Sequence, residues 1–238
     1  MFFFDPVYLI LLVVMIGLSG WAAWRVRSTY ARWATVDSGI DLNPYDFARR
    51  LLDRQGLTGV RIEPTPGQLT DHYDPRAKVL RVSQSVAAVP ALPGGRGAPQ
   101  LSVAAAAVIA HEVGHALQDR QGDKWLATRS VIVPAASLGS SLAPWLIIAG
   151  LWMHLTGLAV IGVIGFGLAF VFTLITLPVE IGASGKALAF VESLGMVGER
   201  QDGARAVLKA AAWTYVAAAL TAMLTFLYYV SLVMGRRD

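Results

Sequence analysis

The sequence predicts a mainly α integral membrane protein. It should hold about four transmembrane helices, one further apolar helix that stays out of the bilayer, and a small β-hairpin or strand element. Three observations predict this. Apolar residues make up 55% of the 238 and charged residues only 15%, against about 25% charged in an ordinary soluble domain. Four stretches approach or exceed the roughly 20 apolar residues that a span needs. A fifth apolar stretch carries two histidines and a glutamate, which are costly at mid-membrane depth. The absence of cysteine excludes disulfides, thiolate metal sites and cysteine nucleophiles. The net charge is +4, but the basic residues form no compact run and no nucleic-acid motif. The expected partner is therefore the lipid bilayer and not nucleic acid.

In chain order, the first span is Val7 to Trp24, within an anchor of residues 1–24. The chain opens Met-Phe-Phe-Phe-Asp, and its basic residues come after the apolar run, at Arg25, Arg27 and Arg32. A cleaved signal peptide has the opposite polarity, so we expect an uncleaved anchor with its start outside. Val131 to Met153 and Leu155 to Leu177 form a hairpin of two spans, residues 131–177, turning near His154 and Gly157. Residues 178–212 form a polar return segment, and Trp213 to Met234 is the last span, within 213–238. Fourteen Lys/Arg lie from Arg25 to Arg129 and four from Lys186 to Lys209, 18 of the 20 in all. With four spans both regions share one side, which the positive-inside rule makes cytoplasmic. Arg236 and Arg237 fall on the other side, a mild conflict that a short tail tolerates. The expected location is a multi-pass position in the plasma membrane. The seven Trp, Trp21, Trp24, Trp145, Trp152 and Trp213 among them, mostly fall near span ends as interface anchors.

Residues 25–130 are long enough for a small folded domain. Asn43 suits an N-cap, with Pro44 at the first helical position. The helix should run from Pro44 to Gln55 and stop at Gly56, with Asp46/Arg50 and Arg49/Asp53 paired four apart. Strands are expected at 60–63, 68–73 and 78–83, the last two forming a hairpin around Asp74-Pro75-Arg76-Ala77. Pro90 to Pro99 reads as a Pro/Gly loop.

Leu101 to Leu117 is rich in Ala and Val but contains His111-Glu112-Val113-Gly114-His115. On a helix, positions i and i+4 share a face. Two imidazoles so placed can bind one Zn2+, and Glu112 beside them can act as general base and then acid on a water that the metal activates. This is a zincin-like catalytic helix of the HExxH type. A chain with only four histidines meets this spacing by chance about once in a hundred or less. The bland reading, two core histidines in an Ala-rich helix, leaves Glu112 without a compensating basic neighbour. Gly114 lets another backbone come close.

A catalytic zinc wants three protein ligands and an open position. Position 121 is Gln, so the pattern with a third His six residues after the second is absent. Glu180, in Leu177-Pro178-Val179-Glu180-Ile181-Gly182-Ala183-Ser184, is the best third ligand. Two crossings separate it from His115, an even number, so topology returns it to the same side. Ala183 is small enough to pack against the first helix, and Ser184 could bond a ligand histidine from behind. The competing reading makes Glu180 a carboxylate at a helix start after Pro178. Asp119, Asp123, Glu192 and Glu199 are rival ligands that read more naturally as solvated charges.

With "HEVGHALQ", "LTDHYDP", "LPVEIGAS" and "AAAWTYVAAAL" in view, the chain resembles the YugP-type neutral zinc metallopeptidases of bacterial membranes, from about Leu42 to the last span. The resemblance implies a membrane zinc peptidase with one Zn2+ per chain, ligands matching His111, His115 and Glu180, and a base matching Glu112. The Glu-x-x-Ala-Ser segment is also similar to the Glu-x-x-Ala-Asp pattern of HtpX-like and CAAX-processing peptidases. Two departures, Ala87 to Gln100 and Gly185-Lys186, touch no proposed ligand but bear on substrate access.

Weaker candidates remain. His72 and Tyr73 sit before the hairpin turn; an edge strand there could bind substrate backbone, with either side chain reaching the scissile carbonyl. The plainer reading is that they fix the turn. Tyr215 could donate to a tetrahedral oxyanion, though an interfacial Tyr is the ordinary explanation. The functional expectation is a gluzincin-like metalloendopeptidase acting on peptide or membrane-protein substrates. One alternative is a zinc-binding adaptor or chaperone-like subunit, which would have no need of Glu112. The other is a small metal transporter, which leaves the polar segment of residues 25–130 unexplained.

Overall fold

A computed structural model describes residues 5–88 and 101–235. In chain order these form α1 (Pro6–Trp33), α2 (Pro44–Arg54), β1 (Arg61–Thr65), β2 (His72–Asp74), β3 (Val79–Ser83), α3 (Gln84–Ala87), α4 (Val103–Arg120), α5 (Lys124–Trp152), α6 (Thr156–Ser193) and α7 (Glu199–Met234). The fold is mainly α, with one small sheet. Helices α1, α5, α6 and α7 are each long and apolar enough to cross a membrane. Most of their apolar surface is unburied by the protein itself, as lipid-facing helices require. The Pro90 to Pro99 loop, nearly all of the Ala87 to Gln100 stretch, and Arg236 and Arg237 lie outside the described residues.

The described chain divides into two compact units. The helical one comprises residues up to 23, 124–178 and 213 onward. In it α5 and α6 meet through small residues. A side chain at Gly139 would strike the Gly165 backbone, one at Gly150 would strike Ala159, and one at Gly162 would strike Ala143 and Ile147. Close backbone approach of this kind is how helices associate in lipid, where no hydrophobic force drives them together. The Tyr228 hydroxyl donates to Asp5 at 2.9 Å, and Trp21 packs edge-on against Trp213.

The second unit comprises residues 24–123 and 179–212. Its helix α2 starts as its sequence dictates: the Asn43 side chain accepts from the Asp46 amide at 2.9 Å, with Pro44 at the first position. It stops at Gly56, whose φ is +66°. The Arg49–Asp53 pair forms at 2.8 Å. The expected Asp46–Arg50 pair does not; Asp46 instead accepts from the Asn43 amide group at 2.6 Å.

The sheet has the order β1-β3-β2, with β1 parallel and β2 antiparallel to β3. The hairpin turn is held by Asp74, whose Oδ1 accepts from the Arg76 and Ala77 amides. The second strand is shorter than the expected 68–73. Gly67 and Leu69 take positive φ, which breaks extended backbone, and pairing begins only at His72.

Helix α4 is the apolar stretch that the sequence assigns to the interior. Ser102 caps it, accepting from the Ala105 amide at 3.1 Å. Its Ala residues 104–107 and 110 are buried, as befits a helix apolar on all sides.

One difference from expectation lies in α6. Pro178 reads in the sequence as a break between the third span and a separate helix bearing Glu180. The structure instead carries one helix of 38 residues through Pro178. The ring removes one helical hydrogen bond, which a long, well-packed helix survives. Glu180 is thus a mid-helix residue, and the reading of it as a helix-start carboxylate is corrected.

Candidate metal centre

The site is built by two helices in the second unit, α4 and the later part of α6. They pack so closely that a Cβ on Gly114 would lie 2.7 Å from the Ala183 carbonyl oxygen and 3.2 Å from its Cα. Gly114 and Ala183 are therefore the contact that sets the distance between the two sets of candidate ligands.

From α4, His111 and His115 face α6, with ring centroids 4.7 Å apart. From α6, Glu180 Oε2 lies 3.1 Å from His111 Nε2 and 3.5 Å from His115 Nε2. Donor atoms of all three side chains fall within 4.8 Å of one another. Among the described residues no other trio of His, Asp or Glu does so.

The outer ring nitrogens are held from behind. His115 Nδ1 lies 2.9 Å from Gln118 Oε1, and Gln118 Nε2 donates to the Val179 carbonyl at 2.9 Å. A carbonyl can only accept, so the amide's orientation is fixed and Oε1 must accept from His115 Nδ1–H. When neutral, His115 then carries its lone pair on Nε2, the atom aimed at Glu180. His111 Nδ1 sits 3.2 Å from Ser184 Oγ. The sequence offers Ser184 as a partner for a ligand histidine and does not single out Gln118. The signal for Gln118 was available: three residues after His115, it shares that helix face.

Glu180 is only 2% exposed and has two imidazoles beside it. Burial works against the His115 imidazolium. The hydrogen bond to Glu180, the charges of Glu112 and Glu180, and the Gln118 bond outweigh it and hold His115 above its ordinary pKa. Two imidazoles and a carboxylate are the donor set of a catalytic zinc site. In a tetrahedral site with ligand bonds of about 2.0–2.1 Å the ligand atoms stand about 3.3–3.4 Å apart; Glu180 Oε2 is 3.1 and 3.5 Å from the two imidazole nitrogens, and the three donors all lie within 4.8 Å of one another. The residues present fit the ion.

Glu112 is buried on the neighbouring face of α4. Its Oε2 accepts from the Tyr73 backbone amide at 2.8 Å. The Tyr73 hydroxyl donates to Asp119 Oδ2 at 2.6 Å, and Lys78 Nζ lies 2.5 Å from the same oxygen. Burial, then the Asp119 bond and charge, push the Tyr73 phenol up. Asp119 is thus engaged away from the histidine pair. Nearby, burial pushes the Asp71 carboxyl up, against its bonds from Ser83 and with help from the charge of Glu112.

His72 is exposed on β2, with Nδ1 2.8 Å from the Thr70 carbonyl and Nε2 3.3 Å from Arg81. Tyr215 lies on α7, in the helical unit.

A membrane-type helical chain with a His-His-Glu centre and a glutamate beside it defines a zinc-peptidase class of protein. The chain matches the family described as "putative neutral zinc metallopeptidase" over residues 8–234, and it belongs to that family. It is 38% identical over 232 residues to the "putative membrane protease YugP" of Bacillus subtilis strain 168, covering 97% of this chain and 98% of that protein. No solved structure matches the chain.

Proposed function

We propose that this chain is a membrane-integrated, zinc-dependent endopeptidase. His111, His115 and Glu180 hold one Zn2+, and Glu112 is the general base and acid. The observation that carries this is the convergence of two Nε2 atoms and a buried carboxylate oxygen, with a second carboxylate on the adjacent helix face. A structural zinc site needs the trio but has no use for Glu112.

When bound, the ion supplies Lewis-acid polarisation of the scissile carbonyl and of the attacking water. The chain's own residues do the rest. Gln118 and Ser184 orient the imidazoles so that Nε2 faces the metal. Glu112 takes a proton from the attacking water and passes it to the leaving amine. Its Oε2 is held by Tyr73, and Oε1 remains for that transfer. The substrates are peptides or membrane proteins near the bilayer.

The 18 of 20 basic residues that cluster between Arg25 and Lys209 support a cytoplasmic catalytic side. The same reading divides the chain into an anchor (1–24), a peptidase segment (25–130), a span hairpin (131–177), the third-ligand segment (178–212) and a final span (213–238).

Glu112→Gln tests the mechanism. The purified variant should retain one zinc per chain and lose at least about 100-fold in peptide cleavage. Cleavage at the wild-type rate would refute the role of Glu112.

A further inference from the structure

Glu112 and Asp119 are seven residues apart on α4. Two turns separate them, so they share a face about 10 Å apart along the axis. Tyr73 meets both. Its amide donates to Glu112 Oε2 at 2.8 Å and its phenol to Asp119 Oδ2 at 2.6 Å. The amide points at α4, away from β3, so this bond is not part of the sheet. Lys78, from the far side of the hairpin turn, closes on the same Asp119 oxygen.

An exposed Lys–Asp pair alone contributes little. Here the carboxylate is also the acceptor for the hydroxyl of a Tyr that is only 9% exposed, and hydrogen bonds to charged acceptors are the stronger ones. One residue is therefore pinned at both ends to the catalytic helix.

We infer that Tyr73 is a positioning residue for Glu112. The phenol–Asp119 bond fixes where β2 lies along α4, and that placement puts the Tyr73 amide on Glu112 Oε2. An unrestrained Glu side chain samples several rotamers and loses that freedom when it is held. The clamp holds Glu112 in one orientation, with Oε1 free for proton transfer. Small misplacements of such a group cost rate heavily. Asp119 and Lys78 gain a role that places them outside the metal centre and upstream of the base. The inference rests on the reading of Glu112 as base.

The test uses full-length protein in nanodiscs and an internally quenched peptide selected from a library by wild-type cleavage. Tyr73→Phe and Asp119→Ala should keep one zinc per chain and a KM within about twofold, while kcat falls about tenfold or more. Asp119→Asn, which keeps an oxygen for the phenol, should recover most of kcat. In zinc-free protein, hydrogen exchange of the Tyr73 amide should speed up about fivefold in Tyr73→Phe and in Asp119→Ala.

In a Glu112→Gln background the same two substitutions should leave the residual rate unchanged. The inference is overturned if kcat is unaffected, if zinc is lost, if amide exchange does not change, or if the loss persists undiminished with Glu112→Gln. A fully active Glu112→Gln protein would instead refute the base itself, whatever Tyr73 does.

Discussion

Gln118 shows how much of a candidate metal site lies behind the side chains that would bind the ion. It is 1% exposed and touches His115 with one end of its amide and the α6 backbone at Val179 with the other. It therefore fixes a tautomer and ties the histidine helix to the glutamate helix. Replacing it with Leu, of similar size, leaves His115 Nδ1 and the Val179 carbonyl without these partners. Groups in this position typically account for 10–100-fold in metal affinity. We expect Gln118→Leu to weaken zinc binding by about that factor, measured by competition with a chromophoric chelator. An unchanged affinity would mean that Gln118 only fills space. The sequence marks His111, Glu112 and His115 by spacing, because one helix determines their geometry. Gln118 is less legible, since its role depends on what α6 presents to it, and so is Tyr73. The sequence offers it as a donor to the scissile carbonyl, whereas its hydroxyl is bound to Asp119, a partner 46 positions away.

At the scale of elements, the decisive contact is Gly114 against Ala183. A bulky residue at either position would prise apart the helices that carry the two kinds of ligand. Because the obstacle is backbone, neighbours cannot turn aside to make room. Overpacking of this kind costs about 1–3 kcal/mol. We expect Gly114→Leu to lower the melting temperature and abolish stoichiometric zinc, while Gly185→Leu on α6, where a side chain meets open space, does neither. Normal zinc content in Gly114→Leu would show that the helices can separate and still close the site. Helix α2 is legible almost to the residue, since its cap, its Pro and its Gly each act locally. Strand β2 is not, because positive φ at Leu69 is a tertiary outcome that Gln-Leu-Thr does not announce. The continuity of α6 through Pro178 is of the same kind: the local penalty of a proline is real, but the packing of a long helix overrides it.

For the whole molecule, counting crossings is what connects residues that lie 65 positions apart in sequence. The sequence reads an apolar hairpin of two spans between His115 and Glu180, and an even number of passages would return the chain to the side it left. Hydropathy alone supplies that count, which is why the sequence offers Glu180 as a candidate third ligand despite the lack of any local motif joining it to His111 and His115. Glu180 is buried beside two imidazoles, and a bound cation would offset the charge that burial makes costly. Metal content is therefore the decisive property of the protein. Purified wild-type protein should contain about one zinc per chain by elemental analysis, and Glu180→Ala, handled identically, should contain far less while still inserting in the membrane. Equal zinc in the two proteins would contradict the account at its centre.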